Sequence, residues 1–270
     1  MRKQVGWMAV AAALVVAACG GGSSGSEGSA TAATGGGPTA ACPTEGEPLD
    51  TARLYIEHNA TDEDTGVHGL VGGEAWSSLC LRDPAGRILF TAVPAGHLGD
   101  LGLADLFFES REPENSEYPI DTLRSEFPEG DYTVGTVGHD GVARIATARF
   151  THDIPAPVEI LSPEIVEDEE AAAMAVTEAG GVVVRWAPTG ETVAGDALAV
   201  TGYEVIVTKV DHDDPHGFSR PVFDVHVDAE AAELAVPASF FDPGSVYELE
   251  VLALEESGNQ TITIGFFTAG

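Results

Sequence analysis

Three stretches in the second half of the chain carry the strongest structural signal: VVVRWAP at 182–188, TGYEVIV at 201–207 and PGSVYELEVLA at 243–253. Each is short and rich in β-branched and aromatic residues, a pattern that is typical of β-strands bounded by turns. The tripeptide SGN at 257–259 then predicts a turn into a last strand over 261–267. The second half of the chain is therefore predicted to be all-β.

The order and spacing of these stretches resemble the fibronectin type III family. The first is similar to its tryptophan-bearing second strand, the second to its third strand, and the third to the Pro-Gly-x-x-Tyr segment before its sixth strand. The resemblance implies a sandwich over about 157–270, in which Trp186 packs in the core and Tyr247 makes the tyrosine-corner hydrogen bond. Two connections are longer than the family's, 164–181 and 211–220, and each is either a binding feature or a tolerated insertion.

The first half of the chain also has the pattern of short strands separated by turns. The predicted strands span 53–58, 76–82, 87–93, 132–137 and 142–150. Apolar residues at i, i+3 and i+7 predict one short helix over 120–127, and FPEGDY at 127–132 is similar to a turn of immunoglobulin-like domains. The predicted fold is all-β, with two tandem antiparallel β-sandwiches: an immunoglobulin-like one at 42–153 and a fibronectin type III-like one at 154–270.

The amino-terminal segment predicts the location of the protein. A basic start and an apolar run are followed by VAAC at 16–19, which resembles the lipobox of bacterial lipoproteins. The resemblance implies a signal peptide over 1–18, lipid on Cys19, and a flexible Gly/Ser/Ala-rich tether over 19–41. We therefore expect a membrane-anchored protein of the bacterial cell envelope, in the outer membrane if the cell is Gram-negative. The alternative is an ordinary secretory signal peptide.

Two cysteines are left once Cys19 is set aside, Cys42 and Cys80. Cysteines of exported proteins more often pair than stay free. We expect a disulfide that joins the end of the tether to the first domain.

The charge of the chain excludes one class of partner. Lys+Arg number 12 and Asp+Glu 44, which gives a formal net charge of −32. A nucleic-acid-binding protein needs a basic surface to displace counterions, so no nucleic-acid partner is expected. The acid surplus is more typical of solubility in a salty or cation-rich setting than of a device for one partner, and it is equally compatible with a basic partner or divalent ions.

Two acidic loops are candidates for metal binding. DEDTG at 62–66 offers Asp62 and Asp64 as calcium ligands, although the loop lacks the Glu that an EF-hand requires. The loop DHDDPH at 211–216 offers two imidazoles and carboxylates to a metal such as zinc. The alternative for both is a solvated acidic loop, and no other cofactor is expected.

No nucleophile–base or metal-helix motif occurs in the sequence, so we predict no enzyme. The predicted function is a non-catalytic envelope protein whose β-sandwich modules bind a protein or a glycan in adhesion. Two alternatives stay open: a calcium-dependent binding module that uses the loop at 62–66, and a hydrolase with its site between the domains.

Overall fold

The computed structural model describes residues 42–173, 181–210, 212 and 220–270. The predictions for the signal peptide, Cys19 and the tether therefore lie outside the described residues, as does most of the loop at 211–216. No helix within the described ranges is long and apolar enough to cross a membrane.

Most of the described residues belong to β-strands, as predicted. The strands are β1 (Glu47–Pro48), β2 (Thr51–Asn59), β3 (Asp64–Arg82), β4 (Ile88–Ala92), β5 (Leu103–Glu109), β6 (Gly130–Gly138), β7 (Ala143–Phe150), β8 (Glu159–Ser162), β9 (Val182–Ala187), β10 (Val200–Lys209), β11 (Val222–Asp228), β12 (Glu233–Val236), β13 (Val246–Glu255) and β14 (Gln260–Thr268). The helices are short: α1 (Gly96–Leu101), α2 (Ile120–Glu126), α3 (Glu169–Ala172) and a 3₁₀ turn at Ala238–Phe240.

The long strand β3 builds both layers of the first sandwich. Its first half pairs with β2 and β5, and its second half pairs with β4 and β6, which continues into β7 and the short β1. The register shifts between Gly72 and Trp76, where Gly73 has a φ of +151°. A strand that bends at glycine can contribute to two layers. The sequence predicted only the second half of β3, and it missed β5.

Large aromatic and aliphatic side chains from both layers fill the first core. Trp76, Tyr132, Phe150 and Ile154 are fully buried there. The hydroxyl of Tyr132 donates a hydrogen bond to the carbonyl oxygen of Pro128 at 2.9 Å. This bond closes the turn that resembled immunoglobulin-like domains, and the predicted helix is confirmed as α2.

Seven strands of the described residues form the second sandwich, in line with the fibronectin type III-like fold that its sequence resembles. One layer is β12-β9-β8, and the other is β14-β13-β10-β11. Trp186 is buried and lies with its ring centroid 5.4 Å from that of Tyr203. The hydroxyl of Tyr247 accepts a hydrogen bond from the backbone N–H of Asp242 at 2.8 Å. The predicted roles of Trp186 and Tyr247 are both confirmed.

The two sandwiches share one sheet, which the prediction of tandem domains did not include. Strand β14 of the second sandwich pairs in parallel with β2 of the first, with Gln260 opposite Glu57 and Ile262 opposite Asn59. The sheet runs without interruption from β5 through β3, β2, β14, β13 and β10 to β11. Its outer face is therefore a single surface built by both halves of the chain.

Candidate functional site

The candidate site lies on the outer face of the shared sheet. The alternation of side chains along each strand determines which residues point to this face. In β10, Val205 and Val207 belong to the second core, so Glu204 and Ile206 point to the opposite face. The register of β13 places Glu250 directly opposite Ile206 on this face. Acidic and apolar side chains therefore lie next to each other across neighbouring strands.

A buried asparagine holds the two sandwiches together behind this face. Asn259 is 0% exposed, and its side-chain oxygen accepts from the N–H of Ile56 at 2.8 Å. Its amide nitrogen donates to the carbonyl oxygen of Thr151 at 3.2 Å. Nearby, the hydroxyl of Thr261 donates to the carbonyl oxygen of Pro155 at 2.6 Å. These bonds use polar groups from both sandwiches, so they fix the face as one unit.

A cavity of about 770 Å³ crosses the face where the sandwiches meet. Its floor is apolar, with Ile206, Leu252 and Ile262 packed into one small cluster. Its walls carry carboxylates from both sandwiches, two aromatic side chains and two arginines: Glu57, Glu204, Glu250, Glu255, Glu256, Tyr55, Phe107, Arg53 and Arg149. We call this cavity the acidic groove.

The carboxylates of the acidic groove are held in an environment that disfavours their negative charge. Burial, followed by a hydrogen bond with Asp224, raises the pKa of Glu204 to about 8. Burial and the adjacent charge of Glu248 hold the pKa of Glu250 well above its usual range. Among the described residues, no Lys or Arg forms an ion pair with Glu204 or Glu250. A cationic group that enters the groove lowers these pKa values again, because its charge stabilises the ionised form of both carboxylates.

At one end of the groove, a histidine lies between two glutamates. His68 and Glu57 are 1% and 2% exposed. The Nε2 of His68 lies 2.7 Å from Glu112 Oε1, and its Nδ1 lies 3.5 Å from Glu57 Oε2. The side-chain nitrogen of Gln260 donates to the same oxygen of Glu57.

Opposing effects act on the titration of this histidine. Burial by itself lowers the pKa of His68, but the hydrogen bond with Glu112 and the charge of Glu57 outweigh burial and raise it. Burial is the main cause that raises the pKa of Glu57. The cluster therefore favours a positive charge at its centre.

A second histidine–carboxylate cluster lies at the other end of the groove, on β10 and β11. Its members are Glu204, Asp224 and His226, and the Nε2 of His226 lies 3.2 Å from Glu204 Oε1. The histidine side chain is 65% exposed, so solvent screens this pair more strongly than the buried cluster.

The loop predicted to bind calcium lies beside β2, outside both clusters. Asp62 Oδ2 accepts a hydrogen bond from the Asn59 side chain at 3.0 Å. Burial, followed by the charges of Glu112 and Asp62, raises the pKa of Asp64 to about 7. Within the described ranges, neither aspartate belongs to a group of three or more potential metal ligands. Calcium binding at Asp62 and Asp64 stays a prediction.

Cys42 and Cys80 form a disulfide in the structure, with their Cα atoms 5.5 Å apart. The side chain of Arg82 donates to the carbonyl oxygen of Cys42 at 2.9 Å. Residue 42 is thus attached to β3 of the first sandwich by a covalent bond and a hydrogen bond. Of the predicted zinc loop, only His212 lies within the described residues.

The groove was not predicted from the sequence, because its residues are far apart in the chain. Glu57, Glu204 and Glu250 come from β2, β10 and β13, and no local motif links them. The sequence signal that was available for this face is the alternation of residue types along the strands. Glutamates at every second position of an otherwise apolar strand indicate that one face of the strand is polar. Nothing in the sequence indicated that the two faces join.

No protein-family model matches the chain, and no curated protein matches it. Among solved structures, a two-domain fibronectin type III segment of chicken tenascin is 11% identical, with a TM-score of 0.29, and covers 81% of this chain and 99% of its own. The FN1–FN3 domains of chicken CNTN1 are 12% identical, with a TM-score of 0.30, and cover 83% of this chain and 70% of their own. Sequence identities and TM-scores this low do not indicate the function of the chain. The strand order and the buried core of the structure itself establish the all-β fold.

Proposed function

We propose that this chain is a non-catalytic binding protein of the bacterial cell envelope. Its acidic groove binds a basic, partly apolar segment of another envelope protein. Cys19, outside the described residues, carries the lipid that holds it at the membrane. One observation carries the proposal: carboxylates from both sandwiches line a cavity with an apolar floor.

The groove matches such a segment in two respects. A Lys or Arg side chain has an apolar stem and a charged tip, so it can cover Ile206 and Leu252 while its cation reaches Glu204 or Glu250. The aromatic rings of Tyr55 and Phe107 in the wall add cation–π attraction. Charge complementarity of this kind supplies both specificity and a fast association rate.

The polar groups of the groove support binding over hydrolysis. Ser257 lines the groove, but its hydroxyl donates to Glu255 and lies 2.8 Å from the hydroxyl of Thr151. A serine nucleophile requires a neighbouring base that is oriented by a third group, and histidine usually fills that role. The arrangement around Ser257 therefore favours a structural role for its hydroxyl.

Peptide titration tests the groove. The purified full-length chain should bind a peptide of alternating Lys and Leu, and should not bind its Glu-Leu counterpart. The double variant Glu204→Gln/Glu250→Gln should lose about tenfold in affinity, since a lost charge contact costs roughly 1–2 kcal/mol. Isothermal titration calorimetry measures both, and higher salt should weaken binding further.

Glu233→Gln is the matched control. Glu233 is an exposed, ion-paired glutamate on β12, in the other sheet of the second sandwich. This variant should bind like the parent chain. Equal losses in the control and the double variant, or binding of a neutral glycan without binding of the basic peptide, would contradict the proposal.

Anchoring is tested separately by Cys19→Ser in cells that process lipoproteins. We expect the parent chain in the membrane fraction and the variant in the soluble fraction, as detected by immunoblot. A variant that stays with the membrane would rule out lipidation of Cys19 as the anchor.

A further inference from the structure

We propose that Glu57, His68 and Glu112 form a binding site for a divalent transition metal of the zinc class. In this site Glu57 Oε2 and His68 Nδ1 are the ligands, and Glu112 orients the imidazole. The site is separate from the loop at 62–66, and the inference does not depend on the identity of the partner in the groove.

The hydrogen bonds of His68 leave one nitrogen available to a metal. Its Nε2 lies 2.7 Å from Glu112 Oε1, which favours the tautomer with the proton on Nε2. Its Nδ1 is buried and has no hydrogen-bond partner among the residues that the structure describes. Histidine ligands of metals commonly donate their other N–H to a carboxylate, and this contact fixes the orientation of the ring. Glu112 is placed for that role.

The gap between the two proposed ligand atoms fits a metal better than a hydrogen bond. Nδ1 of His68 and Oε2 of Glu57 lie 3.5 Å apart, beyond the usual 2.7–3.2 Å range for an N–H···O bond. Two ligands of a tetrahedral zinc ion, at about 2.0–2.2 Å from the metal, lie about 3.4 Å from each other. The ligand atoms therefore already stand at the required separation.

The buried charges of the cluster are balanced by a divalent cation. In the metal-bound form His68 is neutral and both carboxylates are ionised, so the three side chains carry a net charge of about −2, which is costly to bury unless it is compensated. Within the described residues, no Lys or Arg forms an ion pair with Glu57 or Glu112. The amide of Gln260 supplies only one neutral donor to Glu57. A divalent ion neutralises the cluster.

The acidic groove gives the metal a path of entry. Glu57 and Gln260 line the groove, while His68 lies behind Glu57. Water from the groove completes the coordination of the ion. The mixture of one imidazole and carboxylate oxygen is typical of zinc and related transition metals, and calcium prefers sites made of oxygen alone.

Direct zinc binding to the purified full-length chain tests the proposal. All variants carry Cys19→Ser, so that a free thiol does not bind the metal, and no polyhistidine tag is present. After chelator treatment, the chain is titrated with zinc chloride in competition with a fluorescent zinc indicator. We expect one zinc ion per chain, and we expect calcium chloride not to displace it.

Two variants and a control locate the site. Glu57→Gln keeps the shape of the side chain, removes its charge, and should weaken zinc binding at least about 30-fold. Glu112→Gln should weaken it about tenfold, in line with the loss of an orienting partner. Asp224→Asn, in the exposed cluster at the other end of the groove, should bind zinc like the parent.

Cobalt binding supplies a second measurement, which distinguishes loss of the metal site from unfolding of the chain. Co²⁺ in the parent chain should give visible absorption bands that Glu57→Gln removes while the circular dichroism spectrum is unchanged. Zinc binding that survives Glu57→Gln, or that is lost in Asp224→Asn instead, would overturn the proposal. So would a parent chain that binds no zinc.

Discussion

Asn259 makes several of the hydrogen bonds that join the two sandwiches. Its side chain contacts the backbone of Ile56 on β2, and those of Thr151 and Asp153 in the connection between the sandwiches. Its own N–H donates to Glu255. One buried side chain therefore connects a strand, a linker and a turn.

Replacing Asn259 with alanine should destabilise the chain strongly. Asn259→Ala leaves the N–H of Ile56 buried without a partner, and an unsatisfied buried polar group costs about 1–3 kcal/mol. Because several bonds are lost together, we expect a loss of about 3 kcal/mol in the free energy of unfolding, measured by urea denaturation. Asn115→Ala removes a single side-chain bond, to Thr65, and should cost about 1 kcal/mol. Equal losses in the two variants would contradict this role for Asn259.

At the scale of elements, the strands that were predicted are those with local signals. The strands of Trp186 and Tyr247 were found because their residues and spacing resemble a family. The hairpin of β6 and β7 was found because Asp140-Gly141 predicts its turn. Strand β5 was missed because its residues, LADLFFE, do not alternate regularly between apolar and polar side chains. The pairing of β2 with β14 was missed because nothing in the sequence of an edge strand indicates which strand of a second sandwich will pair with it.

For the candidate site, too, the residues that were predicted are those that lie next to each other in the sequence. The loop at 62–66 was predicted to bind calcium because its aspartates lie close together in the sequence. Glu204 and Glu250, by contrast, become neighbours through the pairing of β10 with β13, and Glu57 joins them only through the parallel pairing of β2 and β14. Prediction of that pairing from the sequence would require knowledge of the angle between the two sandwiches, which depends on Asn259 and the bonds around it.

For the whole molecule, the raised pKa values of buried carboxylic acids set how stability depends on pH. Glu204 has a pKa of about 8 in the folded chain, and an ordinary value of about 4.3 when the chain unfolds. Between these values the folded chain keeps a proton that the unfolded chain releases. The free energy of unfolding therefore falls as pH rises through this window. The raised pKa of Glu250 acts in the same direction.

The melting temperature should accordingly be higher at pH 6.5 than at pH 8.5, by about 3 °C or more for a protein of this size. The comparison stops at pH 6.5 because His58, whose pKa is lowered by burial, opposes the effect in more acidic solution. Glu204→Gln should reduce the difference, and Glu233→Gln should leave it unchanged. Calorimetry at the two pH values measures the effect, and a melting temperature that rises with pH would refute it.

The parallel pairing of β2 with β14 also imposes an order on folding. The backbone N–H of Ile264 bonds to the hydroxyl of Thr61, 203 positions earlier in the chain. A ribosome therefore releases β2 long before the partner that covers its edge exists, and contacts so far apart in sequence close slowly. Until then β2 presents an unpaired edge, the kind of surface that pairs with other chains and aggregates. We expect the newly made protein to depend on holding chaperones until its last strand is released, and truncated chains to aggregate even though their first sandwich is complete.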